Sequence, residues 1–316
     1  MKKRTLGRSG IEIAPLVFGG NVFGWTVDQA RSFELLDRFV ERGFNAIDTA
    51  DMYASWAPGL SGGESETVIG QWLARSGRRD EIVLMTKIGL LEQHKGLSAA
   101  NIEVAVENSL KRLGTDHIDV LFAHIDDAQV PLEETLSAFN RLVKAGKVRT
   151  LGASNYSAER FQLALDVSRE QGLARYEVMQ PRYNLHDRQD FESGLAALAQ
   201  ESEIGVVSFF ALASGFLTGK YRSIDDIQGN ARADFLASYF TERGERVLQE
   251  LLSVADELSA RPAQVALAWL LTRPALTAPI ASATSLTQLD ELLDAVTLPL
   301  PEPLLARLNE ASRGSV

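Results

Sequence analysis

The sequence predicts an α/β fold of the (β/α)8 class, a TIM barrel. Eight short apolar stretches of strand length alternate with stretches that carry apolar residues at helical spacing, throughout the 316 residues. No segment rich in proline, glycine or serine divides the chain, so we expect residues 1–316 to form a single domain. Polar residues follow several of the predicted strands, and the strand ends of a parallel barrel share one rim.

The elements can be assigned in order along the chain. Two alternating stretches around a Ser-Gly turn, residues 5–13, predict an N-terminal β-hairpin that plugs the bottom of the barrel. The eight predicted strands are residues 16–20, 45–48, 82–86, 118–123, 148–151, 177–180, 206–209 and 276–281. The predicted helices are residues 28–42, 65–74, 98–113, 131–144, 158–171, 190–201, 241–258, 262–271, 287–295 and 303–312. The fold therefore carries extra helices after strand seven and at the C-terminus, with residues 211–239 as its longest irregular region.

The alternative architecture is a doubly wound open sheet. A Gly-x-Gly-x-x-Gly sequence after the first strand would favour it, and none is present. The glycines of residues 59–63 lie in a predicted loop and have the wrong spacing. The barrel is therefore the better interpretation.

Composition narrows the range of partners. The formal net charge of −10 argues against nucleic acid or an anionic membrane, since both favour a basic surface. The chain contains no cysteine, and no two of its four histidines have the spacing of metal ligands, so we expect no metal site. The basic N-terminus is not followed by an apolar segment, so we expect no signal peptide. We expect a cytoplasmic protein that is either a monomer or a weak homo-oligomer.

Three consecutive strands are followed by residues suited to catalysis. The second strand leads to Asp48 and then Tyr53, the third to Lys87 and the fourth to His124. Taken alone, Asp48 and Lys87 would be more simply explained as a structural ion pair. Because a phenol and an imidazole follow at matching strand ends, we interpret the four together as an active site.

The later strands also end in polar or aromatic residues. Ser154 and Asn155 follow the fifth strand, Gln180 ends the sixth and Phe209 ends the seventh. Two amides, hydroxyls and a nearby ring suit a flat carboxamide better than a metal. After the eighth strand come Ser282, Thr284 and Ser285, and the free N–H groups of the helix that begins there can bind an anion.

At these positions the sequence resembles the aldo-keto reductases over nearly its whole length. The motifs that carry the resemblance are Asp48-Thr-Ala-Asp-Met-Tyr53, Lys87 after a strand, His124-Ile-Asp-Asp127, residues 146–155 and residues 213–221. The resemblance implies a (β/α)8 barrel that uses NADPH to reduce aldehydes and ketones. A nicotinamide-sensing regulatory subunit with little turnover is the alternative, because the same fold also serves ion channels in that role.

The chemistry of the four residues agrees with this resemblance. A carbonyl oxygen must gain a proton when its carbon receives a hydride, and Tyr53 is the candidate acid. Its pKa is near 10 when free, so we expect the cation of Lys87 to lower it and Asp48 to keep Lys87 charged. His124 is predicted to hydrogen-bond the carbonyl oxygen.

The resemblance also implies a set of cofactor-binding residues. Ser154, Asn155 and Gln180 would bind the carboxamide, Phe209 would stack on the ring, and residues 212–220 would wrap the pyrophosphate. The adenosine end of the cofactor would be bound by Ser282, Thr284, Gln288 and Glu291. The full predicted set is Gly20, Asn21, Asp48, Ser154, Asn155, Gln180, Phe209, Leu212, Gly215, Lys220, Arg232, Ser282, Thr284, Gln288 and Glu291.

The sequence departs from the family where the 2′-phosphate would bind. Positions 284 and 285 often carry Lys or Arg in the family, whereas here both are neutral. Hydroxyl groups lack the bidentate charged contact of an arginine. We therefore expect NADP(H) as the cofactor, with only moderate discrimination against NAD(H).

The predicted substrate pocket is apolar and aromatic. It comprises Phe23, Trp25, Trp56, His124 and the loop of residues 50–63, with Tyr239 as a cover. Such a lining favours uncharged or aromatic carbonyl compounds over charged sugars.

Overall fold

The computed structural model describes residues 1–229 and 233–313. In this part of the chain, eight parallel strands close into a barrel in which each strand pairs with its neighbours in chain order and the last pairs with the first. After the hairpin strands β1 (Arg4–Thr5) and β2 (Glu12–Ile13), the barrel strands are β3 (Val17–Gly19), β4 (Ala46–Asp48), β5 (Val83–Ile88), β6 (Ile118–Ala123), β7 (Val148–Ser154), β8 (Tyr176–Gln180), β9 (Gly205–Ser208) and β10 (Ala278–Ala281). The predicted fold class is confirmed.

Helices surround the barrel on the outside. They are α1 (Gln29–Glu41), α2 (Glu64–Ser76), α3 (Ala99–Leu113), α4 (Leu132–Lys144), α5 (Ala158–Gln171), α6 (Ala196–Glu201), α7 (Ala233–Ala237), α8 (Glu242–Glu257), α9 (Pro262–Leu271), α10 (Leu286–Asp294) and α11 (Glu302–Ala311). Several begin at a Ser, Thr or Asp whose side chain accepts a hydrogen bond from a backbone N–H of the first turn, as Ser157 does in α5. Others end at a left-handed glycine, such as Gly114 after α3.

Alternation along the strands fills the barrel interior. Apolar side chains at every second position, including Ala46, Met85, Val120 and Val207, form one buried cluster, distinct from the larger cluster shared with the helices. Gly152 leaves room for a ring in this interior, since a Cβ there would lie 2.5 Å from the Phe122 side chain.

The N-terminal hairpin closes the bottom of the barrel, as predicted. Its residues Leu6, Ile11 and Ile13 belong to the interior cluster. Gly7 lies so close to the start of two strands that a Cβ there would be 2.5 Å from Gly205 N. The opposite end, where the strands terminate, is therefore the open mouth.

Two segments differ from the sequence prediction. The predicted helix 190–201 begins as a π-helical turn, Phe191–Leu195, before α6 continues it. The region 211–239 was expected to be irregular, but it contains the 3-10 segments Ala213–Thr218 and Ile224–Ile227, and α7. Across the described ranges, no helix is long and apolar enough to span a bilayer.

Candidate active site

The mouth is lined by one residue from each strand, which continues the inward-facing alternation and lies at the end of the strand or directly after it. Asp48 lies two positions after the interior residue Ala46, and Lys87 lies two after Met85. The same period-two spacing that fills the interior therefore brings polar groups to the rim. The ring in chain order is Gly19, Asp48, Lys87, His124, Ser154, Gln180, Phe209 and Ser282.

Lys87 is the centre of the catalytic candidates. Its Nζ donates to Asp48 Oδ2 at 2.6 Å, to the Thr49 carbonyl at 2.8 Å and to the Tyr53 hydroxyl at 2.8 Å. The Tyr53 hydroxyl lies 3.4 Å from the same Asp48 oxygen. Lys87 and Asp48 are both about 1% exposed, so this is a charged pair removed from water.

Burial controls the protonation of this pair and of the phenol. It lowers the pKa of Lys87, against the opposing charge of Asp48. Burial, and then the charge of Asp48, raise the pKa of Tyr53 well above its usual value. We expected Lys87 to lower the pKa of Tyr53, but desolvation outweighs it here. The phenol therefore keeps its proton at neutral pH, which is the form that a proton donor requires.

His124 completes the group beside Tyr53. The centroids of the two rings lie 6.2 Å apart. The backbone N–H of His124 donates to the Ile88 carbonyl at 2.9 Å, which continues the hydrogen bonding between the two strands. Burial, and then the charge of Lys87, lower the pKa of His124 well below 6.5, so the ring is neutral at pH 7. A neutral imidazole can donate one hydrogen bond to a carbonyl oxygen without adding positive charge beside Lys87.

Amide side chains connect the catalytic group to the next strands. Gln180 Nε2 donates to the second oxygen of Asp48 at 2.9 Å, so both carboxylate oxygens have partners. Asn155 Nδ2 donates to the His124 carbonyl at 2.8 Å, and Ser154 Oγ donates to the Gln180 carbonyl at 2.8 Å. The structure thus brings these three predicted carboxamide-binding residues together along one side of the mouth.

The first and last barrel strands meet beside this group. Ser282 Oγ donates to Asn21 Oδ1 at 2.6 Å, and Ser65 Oγ donates to the Gly20 carbonyl at 2.7 Å. A Cβ at Gly19 would lie 2.5 Å from Ser282 Oγ, so only glycine permits this approach.

The segment after β9 has an unusual backbone. Phe210, Ala213, Ser214 and Gly215 all adopt positive φ, although three of them are not glycine. Turns of this kind align successive N–H groups into an anion-binding concavity, and such strained conformations concentrate at functional sites. Phe209 packs against Phe210 with ring centroids 5.3 Å apart, at the rim.

The remaining pyrophosphate candidates lie along the same segment. The Leu212 carbonyl accepts from Gly215 N at 2.9 Å, which tightens the turn. Lys220 lies over the Tyr221 ring at 5.3 Å. Arg232 lies outside the described residues.

Residues predicted to bind the adenosine end of the cofactor form hydrogen bonds with one another. Gln288 Oε1 accepts from both the backbone N–H and the hydroxyl of Thr284, each at 3.0 Å, and Ser285 Oγ accepts from Gln288 N at 3.3 Å. Glu291 forms an ion pair with Arg261 at 3.5 Å. The sequence analysis does not identify Arg261, because it lies before α9, thirty positions earlier in the chain. This end is exposed, in contrast to the catalytic end.

Two tryptophans stand beside Tyr53 at the rim. Trp56 packs edge-to-face against Trp25 at 5.4 Å and against Tyr53 at 5.9 Å, and it is 45% exposed. Phe23 is fully buried and stacks on Phe18 at 5.2 Å, so it supports the mouth from within the core rather than lining it, contrary to prediction. Tyr239, predicted as a cover, is also buried, and its hydroxyl donates to Asp187 at 2.7 Å.

A second group of buried ionisable residues lies behind Lys87, and no sequence pattern identified it. Asp51 is fully buried, and its N–H donates to the Lys87 carbonyl at 3.0 Å. Burial, and then the charge of Glu66, raise the pKa of Asp51 to about 8. Glu66 in turn accepts from Thr86 Oγ1 at 2.6 Å and from Arg112 Nε at 2.7 Å. This layer fixes the strand that carries Lys87.

Comparison with known proteins agrees with this geometry. Residues 15–313 match the model of the aldo/keto reductase family. The chain is 32% identical to the uncharacterized oxidoreductase YrpG of Bacillus subtilis (strain 168), over 99% of this chain and 97% of that protein. It is 34% identical to a probable voltage-gated potassium channel subunit beta of Arabidopsis thaliana, over 96% and 94%, and 32% identical to the aldo-keto reductase AFTS1 of Alternaria alternata, over 94% and 88%. The chain belongs to the aldo/keto reductase family.

Proposed function

We propose that the protein is an NADPH-dependent reductase that converts aldehydes and ketones to alcohols, with Tyr53 as the proton donor. The observation that carries this proposal is the position of Lys87 Nζ, 2.8 Å from the Tyr53 hydroxyl and 2.6 Å from Asp48. Membership of the family supports oxidoreductase activity. A purely structural ion pair would not require a phenol at its outer side.

Residues of the mouth support the binding of two parts of a nicotinamide cofactor, its carboxamide ring and its pyrophosphate. Ser154, Asn155 and Gln180 would hold the carboxamide, with Phe209 against the ring. The pyrophosphate would lie against the left-handed turn at Ala213, Ser214 and Gly215, with Lys220 supplying positive charge; the N–H groups of Ala213 and Gly215 already donate within the turn. When bound, the cofactor supplies the hydride that the carbonyl carbon accepts.

The protein's own residues supply the proton and the orientation. His124 and the Tyr53 hydroxyl would both donate hydrogen bonds to the substrate oxygen, which fixes the carbonyl carbon toward the cofactor. As negative charge develops on that oxygen, Tyr53 transfers its proton. Lys87 stabilises the phenolate that remains, because its ammonium already bonds to that oxygen, and solvent then returns the proton.

The rim favours uncharged aromatic carbonyl compounds. Trp25 and Trp56 present ring surfaces next to the proton donor. Such rings bind apolar groups well but offer little to phosphate. We therefore propose aromatic and other uncharged aldehydes as the preferred substrate class.

NADP(H) is the proposed cofactor, with a moderate preference over NAD(H). At the adenosine end, Thr284 and Ser285 are already engaged with Gln288, so a 2′-phosphate would compete with these bonds. We propose that Arg261 and Arg232 compensate for the Lys or Arg that the family often carries at positions 284 and 285. One charge-assisted hydrogen bond is worth about 1.5–3 kcal/mol, or roughly ten- to a hundredfold in affinity, so its absence weakens the preference.

The second candidate function is a regulatory one. The relatives in Arabidopsis thaliana and Oryza sativa subsp. japonica, each 34% identical, are named probable voltage-gated potassium channel subunit beta. A subunit of that kind would bind the cofactor but turn over slowly. The complete group of Asp48, Tyr53, Lys87 and His124 favours the enzyme.

A turnover assay tests the proposal. The purified protein should oxidise NADPH in the presence of 4-nitrobenzaldehyde, followed by the loss of NADPH absorbance, and should prefer it to a sugar phosphate. Cofactor binding without turnover on any of a panel of aldehydes would favour the regulatory function instead. A higher kcat/KM for sugar phosphates would contradict the proposed substrate class.

A further inference from the structure

A cavity of about 340 Å³ lies on the outside of the barrel, among residues that the proposed catalysis does not use. Three parts of the chain line it: the π-helical turn before α6, the start of α8 and the end of α11. We call it the arginine pocket and define it by its lining residues, which are Arg188, Gln189, Glu192, Ser193, Arg243, Ser312 and Arg313.

The charges of the arginine pocket do not balance. Arg188 pairs with Glu192 at 3.0 Å, and Arg313 pairs with Glu310 at 2.8 Å. Arg243 has no ion pair in the described part of the chain, and its Nη2 donates only to the carbonyls of His186, at 2.6 Å, and Ser312, at 3.1 Å. Within the described residues, Arg243 is therefore the arginine of this pocket that forms no ion pair.

Arg243 also has unused hydrogen-bonding capacity. Its Nε is buried and, within residues 1–229 and 233–313, has no hydrogen-bond partner. The nearby carboxylate of Asp187 is already committed to other groups, since it accepts from Arg182 at 2.8 Å and from the Tyr239 hydroxyl at 2.7 Å. A buried N–H of a charged group normally has an acceptor, so the guanidinium of Arg243 is incompletely satisfied among the described residues.

The second arginine of the pocket is held in place before any ligand arrives. Arg188 Nη1 donates to Ser312 Oγ at 2.7 Å and to the Asn309 carbonyl at 3.2 Å, and its guanidinium lies 5.2 Å from the Trp269 ring centroid. A fixed guanidinium loses little freedom when it binds a planar or tetrahedral oxyanion. The pocket thus combines one preorganised cation, Arg188, with a second, Arg243, that forms no ion pair within the described residues.

We propose that the arginine pocket binds the phosphate or carboxylate group of a small molecule, at a site separate from the barrel mouth. Arg243 supplies the main positive charge, and Arg188 supplies a second guanidinium. The cavity is large enough for a small organic anion rather than a bare ion alone. Glu192 tunes the site, since its carboxylate repels an anion and competes for Arg188.

Thermal unfolding of the full chain tests this proposal with inorganic phosphate and succinate as separate probes, each compared with potassium chloride at equal ionic strength. We expect at least one probe to raise Tm beyond the chloride control, and the more effective probe identifies the anionic group. Arg243→Gln should weaken that probe's affinity by at least about tenfold. Glu192→Gln should tighten it by up to about fivefold.

Lys220→Gln is the control, because it removes one positive charge at the proposed pyrophosphate site and should leave the Tm increase intact. The absence of any increase beyond chloride would overturn the proposal, as would an increase that survives Arg243→Gln. Loss of the increase in Lys220→Gln would move the anion to the cofactor segment. If Arg243→Gln does not fold, Glu192→Gln decides the matter, since unchanged affinity would contradict the site.

Discussion

The two ends of the barrel mouth are built in different ways. At the catalytic end, Asp48, Lys87 and Gln180 are each about 1% exposed, and Lys87 and Gln180 both donate to Asp48. At the adenosine end, Thr284 and Gln288 are exposed and bond mainly to each other. The first end is fixed by strands, whereas the second depends on a helix start and on a long segment after β9. Mutations at the catalytic end should therefore affect stability and chemistry together, and those at the adenosine end only affinity.

The largest effect is expected from Lys87→Met. The substitution leaves the buried Asp48 without its cation and the Tyr53 phenol without its polarising donor. We expect the free energy of unfolding to fall by about 3–5 kcal/mol and kcat to fall by roughly 10²–10⁴-fold. Denaturant unfolding and steady-state kinetics measure the two effects.

The matched control is Lys147→Met, which breaks the half-exposed pair between Lys147 and Glu107. Exposed pairs are worth about 0–1 kcal/mol, so stability should change little and kcat should not change. If the two variants lost the same amount of stability, the buried ion pair of Lys87 and Asp48 would contribute no more than an exposed pair.

The next effect concerns Asp51 and pH. Burial raises the pKa of this carboxyl from 3.8 to about 8, so between these values the folded protein holds a proton that the unfolded chain has lost. Stability should therefore decrease as pH rises through this window, by up to about 1.4 kcal/mol per pH unit. Asp51→Asn cannot titrate and should flatten this slope.

Denaturant unfolding at several values between pH 5 and pH 8 measures the slope, with the exposed Asp80→Asn as the control. An Asp51→Asn protein with the wild-type slope would show that this carboxyl is ionised in the folded state. It would also remove the argument for a neutral acid behind Lys87.

A smaller effect is expected at the rim, from Trp56→Ala. The ring is partly exposed and contacts both Trp25 and Tyr53. Aromatic contacts are worth about 0.5–1.5 kcal/mol, so kcat/KM for 4-nitrobenzaldehyde should fall by up to roughly tenfold, with stability nearly unchanged. A parallel assay with acetaldehyde should show a much smaller loss, and an equal loss would indicate a general disturbance of the mouth.

The smallest effect is expected from Arg261→Gln at the adenosine end. The side chain of Arg261 is 70% exposed, so we expect the Kd for NADPH to rise by no more than about fivefold and the Kd for NADH to stay constant. Fluorescence titration with both cofactors measures this. Arg232→Ala in the same titration should also weaken NADPH more than NADH, and equal weakening of both would assign Arg232 to the shared pyrophosphate.

The sequence predicted the two ends with unequal success, for a physical reason. Strand periodicity and parallel pairing place Asp48, Lys87 and His124 on one rim without any knowledge of loops. Contacts between distant segments, such as Glu291 with Arg261, have no local pattern, so the sequence does not predict them.

Local sequence patterns also could not predict how deeply individual side chains at the mouth are buried. Phe23 follows a strand and was expected at the pocket surface, yet it is fully buried against Phe18. The pKa of Tyr53 was expected to fall, but the degree of desolvation reversed its direction. Both differences arise from how tightly the mouth is packed, which depends on the whole barrel.

The most direct test of the account is Tyr53→Phe, which removes one hydroxyl and keeps the ring. Single-turnover reduction of 4-nitrobenzaldehyde and the Kd for NADPH should be measured on the same preparation. The account predicts a loss of roughly 10²–10⁴-fold in the rate of reduction with a Kd within about twofold of the wild type. A near wild-type rate would contradict the assignment of Tyr53 as the proton donor.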